Sequence, residues 1–241
     1  MDMKAVIIAA GLGSRLGALT ADRPKALVKV AGRELILRAL DFVDSPEISE
    51  CLVVTGYEGE HLSGFLAEHR PDVRTVRNPN FRDGSIRTIE TALEHVDGDF
   101  LLMNVDHIYP SSMLGRIVQA ARGITAICDF DRELAGDDMK VKLRNGRLVG
   151  IRKTLADYDG GYIGMTCVRA DALPRYREAV VATRSTEGNS ANVEAALAKL
   201  AEDDEEINIC DVSGIGWLEV DTPEDLSNAE LRIRNNPKLY I

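Results

Sequence analysis

Arg15 and, ten residues later, Lys25 follow a turn that begins Ala9-Ala10-Gly11-Leu12-Gly13, a combination suited to holding an anion. Glycine enters backbone conformations closed to other residues, so amides at Gly11 and Gly13 are free to turn toward phosphate oxygens. Arg15 offers a planar fork that matches two oxygens at once, and Lys25, preceded by Arg23-Pro24, offers a compact point charge. The same residues also suit an ordinary turn with two solvated cations. Spacing excludes two better-known phosphate loops: no glycine here is followed by the Lys-Ser/Thr of a Walker loop, and Leu16 stands where a dinucleotide fingerprint needs its third glycine.

Two acids complete the set. Asp106 ends the largely apolar run Phe100-Leu101-Leu102-Met103-Asn104-Val105, and Asp221 ends Gly216-Trp217-Leu218-Glu219-Val220. An acid in that position either caps the next helix or holds a divalent cation. At Asp221 the cap is already supplied by Thr222, with Pro223 at the first helical position and Glu224 and Asp225 in the first turn, so Asp221 is assigned to metal. Asp106 keeps both readings, the cap of a helix starting near Ser111 and the metal ligand, and an anion loop upstream favours the second. His107 is read as a packing or hydrogen-bonding residue, because no second histidine is spaced to join it. Two carboxylates with phosphate oxygens and water make the hard oxygen site that Mg²⁺ prefers.

The elements needed to position these groups alternate in type. Ala5 to Ile8 reads as a buried strand, a helix follows over 35–43, and then come a strand over 50–56, a helix over 61–70 and a strand over 73–76. That alternation predicts an α/β fold with a doubly wound, mostly parallel sheet. The loop 78–85 leads into a helix over 86–95 with Ser85 as its N-cap, and it falls on the side where open sheets bind ligands. Asn78, Gly84 and Ser85 are therefore either nucleotide contacts or parts of a plain capped helix. Residues 139–153 read as a β-hairpin turning at Asn145-Gly146, with Lys140 and Lys142 on one face. With Arg144, Arg147, Arg152 and Lys153 nearby, that face is a candidate acceptor-phosphate site or a solvated surface. A strand over 159–165 enters through glycines that leave room for a ligand. A helix follows from 171, and Ser190 is the expected N-cap of another over 191–201; the acidic turn 203–206 comes next, and the last strand is expected over 216–221.

The chain has 241 residues, 45% of them hydrophobic, which predicts one domain over 1–241. Its formal net charge of −10 argues against tracking a nucleic-acid backbone. No stretch approaches a membrane span, so a cytoplasmic protein without signal peptide or membrane partner is expected. The four cysteines lack metal-site spacing and are expected to be buried thiols.

Gly11-x-Gly13-x-Arg15 followed by Arg23-Pro24-Lys25 resembles the signature of the nucleoside-triphosphate transferase family. Later segments, Val105-Asp106-His107-Ile108-Tyr109, the hairpin with Gly150-Ile151-Arg152-Lys153, and Trp217 to Thr222, resemble its CTP:inositol-1-phosphate cytidylyltransferase branch. The resemblance covers nearly the whole chain. It implies a Rossmann-like domain of GT-A type, with an inserted hairpin covering the acceptor site. It implies CTP held by Ala9, Ala10, Gly11, Gly13, Asn78, Gly84, Ser85 and Asn104, catalysis by Arg15 and Lys25, and Mg²⁺ on Asp106 and Asp221. The acceptor, a small phosphorylated alcohol and first of all inositol 1-phosphate, is expected near Lys140, Lys142, Lys153 and Tyr162. CMP would pass to it and pyrophosphate would leave. A phosphate monoester has a second pKa of about 6, so its oxygen needs no general base, and no Ser/His/Asp arrangement is present.

The membrane phosphotransferase domain fused to some members has no counterpart in these residues, so the product is expected to pass to a separate enzyme; a homodimer is left open. The chain departs from the branch at Asp83-Gly84-Ser85-Ile86-Arg87, which keeps a phosphonate, choline phosphate and a sugar 1-phosphate as rival acceptors and leaves Arg87 without a role. A glycosyltransferase of similar fold is disfavoured because Ile108 stands where the second acid of Asp-x-Asp belongs. A regulatory subunit without activity is disfavoured because all four charged residues are present.

Overall fold

Strand β1 (Met3–Ala9) alternates its side chains between two cores: Ala5 and Ile7 face one, Val6 and Ile8 the other. This period of two, with every residue from Ala5 to Ala9 buried, makes β1 the centre of the sheet. The structure, a computed structural model, describes residues 2–240. After β1 come two 3₁₀ turns, Ser14–Thr20 and Lys25–Leu27, and the ribbon β2 (Lys29–Val30) and β3 (Arg33–Glu34). Then follow α1 (Leu35–Phe42), β4 (Ile48–Thr55), α2 (Gly59–His69), β5 (Arg74–Arg77), α3 (Ser85–Leu93) and β6 (Phe100–Asn104). The second half holds β7 (His107–Ile108), α4 (Ser112–Ala120), β8 (Ile124–Asp129), the hairpin β9 (Lys140–Arg144) and β10 (Arg147–Arg152), and β11 (Gly160–Val168). It closes with α5 (Leu173–Glu187), α6 (Glu194–Glu202), β12 (Ile207–Asp211), β13 (Leu218–Glu219) and α7 (Pro223–Asn235).

The main sheet runs β10-β9-β11-β6-β1-β4-β5, with β8 joining β11 to β12. Strands β6, β1, β4 and β5 are parallel, and β11 enters antiparallel beside β6. Helices α3, α5 and α6 cover one face through Ile89, Tyr176 and Leu197; α1, α2 and α4 cover the other through Leu40, Leu62 and Ile117. The architecture is the expected doubly wound α/β sheet. From β1 the chain winds outward to β4 and β5 and then returns to β6 on β1's other side, so the strand order reverses between β1 and β6. Open sheets bind ligands beyond the carboxyl ends of the strands at such a reversal.

Several local expectations are corrected. Ser85 is not a cap: Gly84 occupies that position, and the Ser85 hydroxyl accepts from the Val193 amide at 2.8 Å, tying α3 to the start of α6. Ser190 does not cap α6, which begins at Glu194 while Asn192 Oδ1 accepts from the Ala195 amide at 3.0 Å. The space left by Gly160 and Gly161 is filled by the chain's own side chains: a Cβ there would sit 2.4 Å from Phe130 and 2.8 Å from Leu134. The strand expected over 216–221 shrinks to β13, which pairs β7 in a ribbon outside the main sheet. Strand β12, which carries Cys210, runs parallel to β8 and adds an element to those expected above.

The Thr222 cap is observed as expected. Thr222 Oγ1 accepts from the Asp225 amide at 3.2 Å, and Asp225 Oδ2 accepts from the Thr222 and Asp221 amides at 2.8 and 3.2 Å. Replacing Thr222 by Ala should therefore cost about 1 kcal/mol, read in a thermal melt as a fall of roughly 2–4 °C. The four cysteines are free, and burial pushes the Cys51 thiol up to about 12, so it is inert near neutrality. Among the described residues no helix is long and apolar enough to cross a membrane.

Candidate active site

The loop after β1 owes its shape to one glycine. Gly13 has φ +65°, and a Cβ there would lie 2.9 Å from the Lys25 Cβ, so only glycine lets the loop close over the lysine stem. Thr20 Oγ1 pins the loop by donating to the Gly13 carbonyl at 2.9 Å. Gly11 differs from expectation: its φ is outside the left-handed region, and its merit is emptiness, since nothing lies within 4 Å of where a Cβ would be.

Below the loop, the four charged residues singled out by sequence meet. Lys25 Nζ donates to Asp106 Oδ2 at 2.8 Å and also to Asp221 Oδ1. Arg15 donates to Asp221 Oδ2 and, at 3.1 Å, to Asp137. The second Asp106 oxygen pairs with His107 Nδ1 at 2.7 Å, so Asp106 does not cap α4. His107 is itself stacked between Trp217 at 5.2 Å and Tyr109 at 5.7 Å, and Trp217 Nε1 donates to Asp129 at 2.9 Å. Gly164, at φ +74°, leaves the room His107 needs.

Electrostatics follow from burial and pairing. Burial alone would raise the Asp106 carboxyl, but Lys25 and His107 beside it hold it well below the usual carboxylate range. Burial likewise works to discharge Lys25, and the two aspartates outweigh it, so its pKa is raised and the ammonium persists. Among the described residues no three His, Cys, Asp or Glu side chains cluster in a way that could hold a metal ion. Two aspartates meeting at one ammonium nevertheless fit a magnesium site of the kind completed by substrate phosphates and water.

Two cavities open here and share Asn104, Asp106 and Glu194. The first, about 210 Å³, lies along Ala9, Ala10 and Gly11 and also touches Ser85 and Thr88. The second, about 160 Å³, is walled by Arg15, Lys153, Tyr162, Glu219 and Asp221. A larger groove of about 820 Å³ between residues 129–133 and α7 takes in Trp217 and Glu219 but none of the glycine loop.

Other expected contacts are not brought to these cavities. Asn78 is fully buried, its Nδ2 donating to Thr88 at 3.1 Å and its Oδ1 accepting from the Asn80 amide at 2.8 Å, so its polar groups are consumed in shaping the loop. Gly84 faces the backbone of Ser190 and Ala191 rather than the cavity. Lys140 is buried with its ammonium on the carbonyls of Ala135 and Lys153 at 2.9 and 3.0 Å, so it organises the segment that carries Lys153. Lys142 is neutralised locally by Asp157 at 2.7 Å and Asp159 at 3.2 Å. In an acidic chain, cations find nearby carboxylates before they find substrate. Arg87 gains a role: it pairs with Glu90, which also takes Arg184 at 3.0 Å, clamping α3 to α5.

Sequence reasoning missed Glu194 and Glu219. Burial pushes both carboxyls above the usual range, and both line the second cavity. Glu194 reads in sequence as an ordinary acid in the first turn of a helix, and Glu219 as one residue of an alternating strand, so neither carried a signal.

The sequence pattern of the MobA-like NTP transferase domain family matches residues 5–134. The bifunctional IPC transferase and DIPP synthase of Rubrobacter xylanophilus is 32% identical over 229 residues, covering 94% of this chain and 51% of that protein. The chain thus spans about half the length of the curated relatives it matches. In fold, it is similar to the inositol-1-phosphate CTP transferase from T. maritima, with TM-score 0.82 at 18% identity over 98% of this chain and 97% of the other. It is also similar to the CTP:phosphocholine cytidylyltransferase from Streptococcus pneumoniae, with TM-score 0.74 at 20% identity over 97% of this chain and 100% of the other.

Proposed function

The chain belongs to the MobA-like NTP transferase domain family, and on that premise we propose that it is a Mg²⁺-dependent cytidylyltransferase moving CMP from CTP to inositol 1-phosphate with release of pyrophosphate. The carrying observation is that Asp106 and Asp221, from distant parts of the chain, converge on Lys25 beneath the glycine loop, where the first cavity meets the second. The cytidylyl and inositol parts rest on likeness to the relatives named above. In the same reading residues 1–241 act as one catalytic unit in the cytoplasm.

The loop amides and Asn104 hold the nucleotide, while Arg15 and Lys25 face its phosphates. Lys153 and Tyr162 lie where the acceptor phosphate would enter. An oxygen of that phosphate bonds to the α-phosphorus as the bond to the β-phosphate oxygen breaks, and pyrophosphate leaves with the electron pair. No proton has to move. Asp106 and Asp221 would hold the Mg²⁺, which supplies neutralisation of phosphate charge. Positioning and charge neutralisation carry such chemistry without a covalent intermediate. Glu194 and Glu219 offer oxygens to the hydroxyls of a polyol. The same acidic wall suits a trimethylammonium group, which makes choline phosphate the second reading.

Pyrophosphate release measured with each of the four NTPs against inositol 1-phosphate, choline phosphate, an aminoalkyl phosphonate and glucose 1-phosphate tests the reading. Turnover is expected with CTP and inositol 1-phosphate; activity with UTP or GTP alone refutes the cytidylyl assignment. Within that assay Lys153→Ala should raise the acceptor KM about tenfold or more, the worth of one charge-assisted contact, whereas Lys142→Ala should leave it unchanged.

A further inference from the structure

We propose that Lys25 stands in for the divalent cation in the free protein, so that a metal ion reaches Asp106 and Asp221 only when a triphosphate arrives with it and draws the lysine ammonium away. This rests on the metal reading of the two aspartates and adds an order of events to it.

All four carboxylate oxygens of the pair are engaged by groups of the protein. Asp106 gives one oxygen to Lys25 at 2.8 Å and the other to His107 at 2.7 Å; Asp221 gives one to Lys25 and the other to Arg15. A divalent ion arriving alone therefore meets no free oxygen on either aspartate. It must expel an ammonium whose side chain is only 8% exposed and which, among the described residues, donates to these two carboxylates. Charge points the same way. The two carboxylates are already paired with Lys25 and Arg15, so a lone divalent ion gains their charge only by displacing a cation that then loses its own partner. A triphosphate carries more negative charge than the ion cancels and reverses that balance.

The stem of Lys25 stays put, because Gly13 closes on its Cβ and Cγ. Its ammonium only has to swing on a flexible four-carbon chain toward the loop that receives the phosphates. In either state it has an anionic partner. While the metal is away, it keeps two like charges together that would otherwise repel.

Mn²⁺ is the probe, its binding to the full chain followed by electron paramagnetic resonance without nucleotide. Lys25→Met should bind Mn²⁺ about tenfold or more tightly than wild type, since the competing cation is gone. Lys25→Arg should bind like wild type, and adding Asp221→Asn to Lys25→Met should abolish the gain. If Lys25→Met binds Mn²⁺ no better than wild type, the proposal is overturned. A measurement on the unaltered chain covers a variant that does not fold: in ¹⁵N-lysine spectra the Lys25 ammonium signal should stay in place with Mg²⁺ alone and move when Mg²⁺ and CTP are added together. Movement with Mg²⁺ alone overturns the inference. A different failure marks the underlying reading: should Asp221→Asn hold the Mn²⁺–CTP complex as tightly as wild type, the aspartates are not metal ligands and the inference falls with them.

Discussion

Asp221→Asn is expected to slow pyrophosphate release about 10²- to 10³-fold, the usual cost of removing one preorganised charged contact from a desolvated site. The replacement has almost the same shape, so the loss is electrostatic. Asp221 takes Lys25 with one oxygen and Arg15 with the other, and the Asp225 carboxylate holds its amide at the start of α7. An amide there puts an N–H toward one of two cations, and both lose the anion that aims them. Asp106→Asn should fall in the same range, because Asp106 shares Lys25 with Asp221 and is itself positioned by His107. The double variant should lose far less than the product of the two single losses, since residues acting as a unit are not additive. Steady-state pyrophosphate release, with a thermal melt of each variant to establish folding, is the measurement. A tenfold loss or less for both single variants would mean that the convergence of these acids is structural.

Gly84→Ala is expected to destabilise the fold by about 3 kcal/mol, near the upper end for overpacking, which for a chain of this size lowers Tm by roughly 6–12 °C. A Cβ at residue 84 would lie 2.0 Å from the Ala191 carbonyl oxygen and 2.5 Å from the Ser190 carbonyl. Both obstacles are backbone, so no side chain can swing aside. The Gly84 amide also donates to the Asn189 carbonyl at 2.6 Å, and the Ile86 amide to Ala191 at 3.1 Å, which fixes the two segments against each other. Gly11→Ala is the contrasting case. Its backbone is unstrained and the space beside it is open, so the melt should shift by less than about 0.5 kcal/mol. Its methyl group would nevertheless stand beside the cavity that the loop lines, and the KM for CTP should rise. Melting curves and nucleotide KM values for the pair separate a glycine needed for packing from one needed for access.

The readings that succeeded depend on short stretches of chain. β1 and β6 are legible because all but one residue of each is apolar, the Thr222 cap because a hydroxyl and a carboxylate three residues apart satisfy each other's backbone, and the hairpin because Asn145-Gly146 permits its turn. What short stretches do not carry is which partners the fold supplies to each polar group. Asn78 looked available until Thr88 and Asn80 used its amide, Lys142 until Asp157 and Asp159 neutralised it, and Ser85 until Val193 claimed its hydroxyl. Strand β12 was not delimited because five residues of mixed polarity become a strand only beside β8.

Residue types and their spacing were enough for the glycine turn after β1, for the alternation of strands with helices, and for singling out Arg15, Lys25, Asp106 and Asp221, which the fold brings together, since those follow from backbone freedom, periodicity and charge. They were silent on which groups those four would meet. That Asp221 arrives on a two-stranded ribbon instead of a core strand, that Lys25 sits between the acids, and that Glu194 and Glu219 wall the second cavity all follow from how distant segments pack. A side chain's charge and shape belong to its own residue. Its partners, and with them its burial and protonation, belong to whatever the fold brings within a few ångströms.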